Sequence, residues 1–212
     1  MGGAVRRVVV KAEYPVDAAA MADAVRVLRS GGVVAFPTDT LYGLAVDPRS
    51  DVAIGRLFGL KQRDRQAAVP LVAASLEQAG LAGEFGSRER QVAEAFWPGP
   101  LSVVLPARPI LSRAALGGGG TIAIRVPAHA IARALAAAFQ FCVTATSANV
   151  SGFPPADSAD AVALALPGVD LLLDGGPAPG GAPSTIMSFE DGEPVLVRAG
   201  VIAWDRVIKS LQ

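Results

Sequence analysis

Val33-Val34-Ala35-Phe36-Pro37-Thr38-Asp39-Thr40-Leu41-Tyr42-Gly43-Leu44 is the stretch on which the reading of this chain turns. Its first four residues form an apolar run of the kind found in a strand covered on both faces. Pro37 ends that run, because proline has no N–H to give to a sheet ladder. Thr38-Asp39-Thr40 then reads either as a polar turn whose side chains bond their own backbone, or as a ligand-binding loop. The prompt apolar return at Leu41 to Leu44 favours a fixed loop, and ligands of open α/β sheets collect beyond the carboxyl ends of strands.

Outward from this stretch, helical and strand patterns alternate. Asp17 to Ser30 reads as a helix, with Asp17 as its cap, Met21, Val25 and Leu28 at helical spacing, and Gly31-Gly32 as its stop. Val52 to Leu60 is a second helix and Pro70 to Ala73 a short strand. Ser75 with Gln78 forms a capping box for the next helix. Arg88 to Trp97 is helical until Pro98-Gly99-Pro100 breaks it. Leu101 to Leu105 and Thr121 to Val126 read as strands, Ala128 to Phe139 as a helix, and Phe141 to Ala145 as a strand. Helix Ala159 to Leu166 and strand Val169 to Leu173 follow. Thr185 to Phe189 and Pro194 to Val197 form a hairpin around Glu190-Asp191-Gly192-Glu193, and a short helix containing Trp204 comes last. The pattern predicts an α/β fold with a mixed parallel and antiparallel sheet, in one domain spanning residues 1–212.

Composition narrows the class. The chain has 212 residues, 51% of them hydrophobic and 18% charged; at this size roughly 70% of the extended-state surface is buried on folding, with no need of a disulfide or metal staple. The single cysteine, Cys142, lies between Phe141 and Val143 and reads as a core residue in a reducing compartment. The apolar run near the N-terminus is shorter than the about 7–15 residues of a secretory core. No apolar run reaches the about 18 residues of a membrane span, so a cytoplasmic protein is expected. Lys plus Arg and Asp plus Glu balance at 19 each. That balance lacks the basic excess of a general nucleic-acid binder, so an anion site here is a local cluster.

Four stretches break the apolar pattern with hydroxyls and cations: Pro37 to Leu44, Lys61-Gln62-Arg63-Asp64-Arg65, Thr144 to Gly152, and Ser184-Thr185-Ile186 with Arg198. Lys61, Arg63 and Arg65 read either as a solvated helix end favoured by the macrodipole or as a polyphosphate site. Arg125 ends an apolar strand, where an unpaired cation is costly to bury. Ser158 is expected to cap a helix. Phosphate-loop and dinucleotide-binding motifs are missing, and Gly117 to Gly120 reads as a loop or lid. One histidine, His129, at a helix start, leaves no Ser-His-Asp triad and no His/Cys metal site.

Together these stretches resemble the YrdC-like threonylcarbamoyl-AMP synthase family. The matching residues are Pro37 to Leu44, Lys61-Gln62-Arg63, Trp97-Pro98-Gly99-Pro100, Ile122 to Pro127, Ser147 to Gly152, Ser184 to Ile186 and Arg198-Ala199-Gly200, in family order over about residues 17–205. The resemblance implies one twisted sheet with flanking helices and a large concave, cationic cleft. It implies a nucleotidyltransferase that makes L-threonylcarbamoyl-adenylate from L-threonine, bicarbonate and ATP, releasing pyrophosphate, for threonylcarbamoyladenosine formation in tRNAs. Carried over, Lys61 and Arg63 serve catalysis and contact the nucleotide phosphates, and Thr121, Asn149 and Arg198 also hold ATP. Thr40, Arg125, Ser147 and Ser184 hold L-threonine. Magnesium arrives with the ATP phosphates, without dedicated protein ligands, and a threonylcarbamoyltransferase complex is the implied downstream partner. Asp64, where many members have proline, and Asp157, where a hydroxyl is common, depart from the pattern. The alternative is a double-stranded RNA or tRNA-binding module that uses the cationic cleft for docking.

Overall fold

The computed structural model describes residues 5–13, 15–62 and 68–212. In chain order its elements are β1 Arg6–Val9, α1 Ala18–Arg29, β2 Val34–Pro37, β3 Tyr42–Ala45, α2 Asp51–Lys61, β4 Leu71–Val72, α3 Leu76–Ala79, α4 Ser87–Phe96 and β5 Leu101–Pro106. Then come β6 Thr121–Arg125, α5 Ala130–Phe139, β7 Val143–Thr144, β8 Thr146–Ser147, α6 Ala159–Ala165, β9 Leu171–Asp174, β10 Thr185–Glu190, β11 Glu193–Arg198 and α7 Trp204–Lys209.

Local chemistry sets the boundaries. Asp17 caps α1 by accepting from the Ala19 and Ala20 N–H groups at 2.8 and 3.3 Å, and Gly31, at φ +80°, takes the left-handed turn that releases the chain into β2. Ser75 accepts from Gln78 N at 3.2 Å, while the Gln78 amide oxygen accepts from Ala74 N at 2.7 Å. Ser158 caps α6 through Ala161 N. Asp191 and Gly192, both at positive φ, turn the β10–β11 hairpin.

The strands form two mixed sheets, a five-stranded one ordered β1-β9-β2-β3-β8 and a six-stranded one ordered β11-β10-β5-β6-β4-β7. The mixed α/β class is as expected; the single sheet is not. Phe141 to Ala145 does not run on as one strand. β7 pairs with β4, and one residue later β8 pairs with β3. The bend is held by side-chain chemistry: Thr144 Oγ1 accepts from Val46 N and donates to Leu44 O, both at 2.9 Å, so its hydroxyl takes the place of a ladder bond between the sheets.

Period-two alternation divides the five-stranded sheet between two cores. Val34, Phe36, Leu171 and Leu173 pack with Met21, Leu28, Ile131 and Leu135 from α1 and α5. Ala35, Leu44 and Leu172 pack with Ile54, Leu57 and Val162 from α2 and α6. In the six-stranded sheet Leu101, Val103, Ile122, Ile124 and Met187 join the first core. Their alternates are Ser102 and Val104 on β5, Thr121, Ala123 and Arg125 on β6, and Ile186 and Ser188 on β10. These face the other way and form the floor of a cavity.

Candidate active site

That cavity has a volume of about 810 Å³. The β2–β3 loop and β8 bring Thr38, Thr40 and Ser147 to it, and the ends of β6, β10 and β11 bring Arg125, Ser184 and Arg198. Of the nine positions expected from the sequence, Thr40, Thr121, Arg125, Ser147, Ser184 and Arg198 line this one space.

The threonine-rich loop is self-tied. Thr38 Oγ1 donates to Leu41 O at 2.7 Å, accepts from Thr40 N at 3.2 Å and lies 3.1 Å from Thr40 Oγ1. The polar-turn reading of Pro37 to Thr40 is therefore correct for Thr38, and that turn is what aims Thr40 into the cavity. Asp39, between them, pairs with Arg125 Nη1 at 2.6 Å and accepts from Ala128 N at 3.1 Å. Burial pushes the Arg125 guanidinium below its ordinary pKa, Asp39 acts against that shift, and Arg198 adds to it.

Arg198 Nη2 donates to Ser184 O at 2.8 Å and to Ser184 Oγ at 3.2 Å, and Ser184 Oγ lies 3.1 Å from Ser102 Oγ. Burial lowers the pKa of Arg198 as well. Two guanidinium groups thus share one rim with a cluster of hydroxyls, a setting suited to a carboxylate or phosphate flanked by hydroxyl-bonding groups.

Lys61 and Asn149 do not line the cavity. Lys61, at the end of α2, is 2% exposed and its ammonium donates to Ser147 O, to Asn149 O at 2.8 Å and to Asn149 Oδ1 at 3.0 Å. Asn149 Oδ1 also accepts from Ser147 Oγ at 2.6 Å, and Asn149 Nδ2 donates to Phe153 O. Lys61 thus holds the Ser147–Asn149 turn from beneath, through contacts that line up the cavity wall. Arg63, Asp64 and Arg65 lie outside the described residues. Asp157 is exposed and its carbonyl accepts from Ala178 N.

The sequence pattern of the Sua5/YciO/YrdC family, described as "Telomere recombination", matches residues 26–200. The chain belongs to that family. It is 38% identical over 184 residues to the threonylcarbamoyl-AMP synthase of Pyrococcus abyssi, covering 86% of this chain and 54% of that one. It is 40% identical over 179 residues to the threonylcarbamoyl-AMP synthase of Chromohalobacter salexigens, covering 82% of this chain and 94% of that one. The chain therefore spans about half the length of the first relative and nearly all of the second. Among solved structures, P. abyssi Sua5 complexed with L-threonine superposes with a TM-score of 0.89 at 33% identity, over 97% of this chain and 60% of that one.

The structure also brings in residues that the sequence reading left without a role. Asp39 and Ser102 tie Arg125 and Ser184 in place. Tyr42 is wholly buried and donates to Gly176 O at 2.7 Å, and burial pushes its phenol up to about 12. Gly200 closes the Arg198-Ala199-Gly200 motif for a steric reason: a Cβ there would meet Pro183 O at 2.3 Å and Thr185 N at 2.4 Å. The chain can pass Ser184 that closely only without a side chain. Motif membership was the one available signal for Asp39, Tyr42 and Gly200, and Ser102 lies outside the motifs.

Proposed function

We propose that the chain is an L-threonylcarbamoyladenylate synthase. The observation that carries this reading is the convergence of Thr40, Arg125, Ser147, Ser184 and Arg198 on one cavity, in a chain whose relatives are named threonylcarbamoyl-AMP synthases. P. abyssi Sua5, of the same fold, has been solved in complex with L-threonine.

In this reading the threonine carboxylate pairs with Arg125, and the hydroxyls of Thr40, Ser147 and Ser184 hold its polar groups. The amine adds to bicarbonate with loss of water, giving an N-carboxy-threonine. One oxygen of the new carboxylate attacks the α-phosphorus of ATP, the bond to the β-phosphate oxygen breaks, and pyrophosphate leaves. Thr121, Asn149 and Arg198, with Lys61 and Arg63, serve the nucleotide. Lys61 serves it through the Ser147–Asn149 turn that it braces, and Arg63 through direct phosphate contact. Magnesium, carried by the ATP phosphates, supplies charge neutralisation. No protein nucleophile takes part, so rate comes from holding three reactants together, for which effective molarities of about 10⁵ M or more are available. The adenylate passes to a threonylcarbamoyltransferase acting on tRNA in the cytoplasm.

The balanced charge of 19 cations and 19 anions disfavours a nucleic-acid docking role for the same cavity. The deciding test is pyrophosphate release from ATP with L-threonine and bicarbonate added singly and together. Release that requires both is expected, and Arg63→Ala should lower it on the order of 10²-fold. Folded protein that releases none, yet binds tRNA with a steep salt dependence, would overturn the assignment.

A further inference from the structure

We propose that the cavity between α1 and α5 is a second binding site, for a small amphiphile that carries an anionic head on an apolar chain. It has a volume of about 970 Å³ and shares no lining residue with the cavity above. The proposal is independent of the synthase reading.

Its walls are Val16, Met21 and Val25 facing Ala134 and other alanines of α5. Its charges are all of one sign: Arg26, Arg29 and Arg133 line it, and none of its described lining residues is acidic. Arg26 is engaged by Asp23 at 2.6 Å. Arg29 and Arg133 make no ion pair among the described residues. Arg133 Nε is shielded from water and has no hydrogen-bond partner there. A sheltered guanidinium N–H without an acceptor is an unmet demand for an oxygen, and a carboxylate or phosphate meets it with two parallel bonds.

Shape and composition select a small ligand over a protein. The volume lies in the range of small-molecule pockets, roughly 300–1,000 Å³. The lining holds no Trp or Tyr, the aromatic anchors on which protein interfaces concentrate their affinity. Alanine walls leave room for a chain of methylenes, and the arginines fix which end carries the charge.

The test titrates the full chain with dodecanoate and with dodecyl phosphate below their micelle concentrations, read by amide NMR shifts and calorimetry. Acetate and dodecyl maltoside serve as head-only and chain-only controls. Saturable shifts confined to α1 and α5 are expected with at least one of the two anions, and the stronger one identifies the head group. Arg133→Gln should weaken that binding about ten-fold or more, as loss of a charge-assisted bond does. Ala134→Trp should abolish it by filling the space, and Arg29→Gln supplies a second reading from the surface should Ala134→Trp fail to fold. The proposal falls if neither anion saturates, if dodecyl maltoside binds as tightly, or if both arginine variants bind like the parent chain.

Discussion

Arg125 and Asp39 form a buried ion pair between β6 and the loop after β2, with Nη1 2.6 Å from Oδ1 and side-chain exposures of 8% and 13%. The second carboxylate oxygen accepts from Ala128 N just ahead of α5, so one aspartate joins three elements of the cavity wall. Removing one member of such a pair strands a charge in a poorly hydrated place.

Asp39→Ala should therefore cost about 3 kcal/mol of stability or more, read as a lower denaturant midpoint at unchanged m. Asp39→Asn keeps an acceptor for Ala128 and loses the charge. In that variant the KM for L-threonine should rise about ten-fold, with a smaller change in kcat, as expected when binding in ground and transition state is lost together. An unchanged KM would make Asp39 a purely structural residue.

Lys61→Met keeps most of the side-chain volume and removes an ammonium that three oxygens share. Stability should fall by about 3 kcal/mol, and synthesis on the order of 10²-fold. Chemical denaturation and pyrophosphate release measure the two separately. Lost activity with full stability would place Lys61 on the ligand instead of under the turn.

Gly200→Ala presses a methyl group into rigid backbone at Pro183, Ser184 and Thr185. The cost should be about 1–3 kcal/mol from overpacking. Because the strain falls on Ser184, the Arg198–Ser184 bonds should be disturbed too, and calorimetry should show weaker L-threonine binding than in the parent chain.

His129 stands at the N-cap of α5 without a side-chain capping bond, and its Nδ1 is buried with no partner among the described residues. Burial lowers its pKa below the ordinary 6.5, with Asp39 acting in the opposite direction. Well above pH 6.5 both folded and unfolded chains hold it neutral. As the pH falls through that value the unfolded chain takes up the proton first, so stability is lost until the folded histidine titrates as well. His129→Gln should flatten this slope in a pH series of thermal melts while leaving synthesis nearly unchanged.

Cys142 is completely buried, and burial pushes its thiol up to about 12. Thiolate is the reactive form. A disulfide reagent at neutral pH should find no thiol in the native chain and one after denaturation. Rapid native labelling would mean that the α5–β7 region opens easily.

Most helices were legible because caps, stops and apolar spacing agree along single segments, as at Asp17, Ser75 and Ser158. β3 was hidden by a polar turn before it and a glycine within it. Gly43 carries no side chain, and a Cβ there would lie 3.3 Å from the Phe36 ring. β1 is an edge strand whose register comes from β9, far along the chain, so nothing local announces it. The candidate site was legible as hydroxyls and cations interrupting apolar runs at strand ends. For Lys61 the sequence offered a solvated helix end or a polyphosphate site, and neither reading foretells the three oxygens that bury it, which arrive 86–88 residues later. Such closure over distance leaves no periodic trace.

β7 and β8 are separated only by Ala145, so the chain passes from one wall of the cavity to the other within a single residue. Ser147 stands two residues beyond that crossing, where covalent continuity ties the walls together. Arg198 stands on the strand at the opposite margin of the six-stranded sheet from β7. The two ends of the binding space are thus anchored by different means: covalent continuity at Ser147, and at Arg198 the bonds to Ser184.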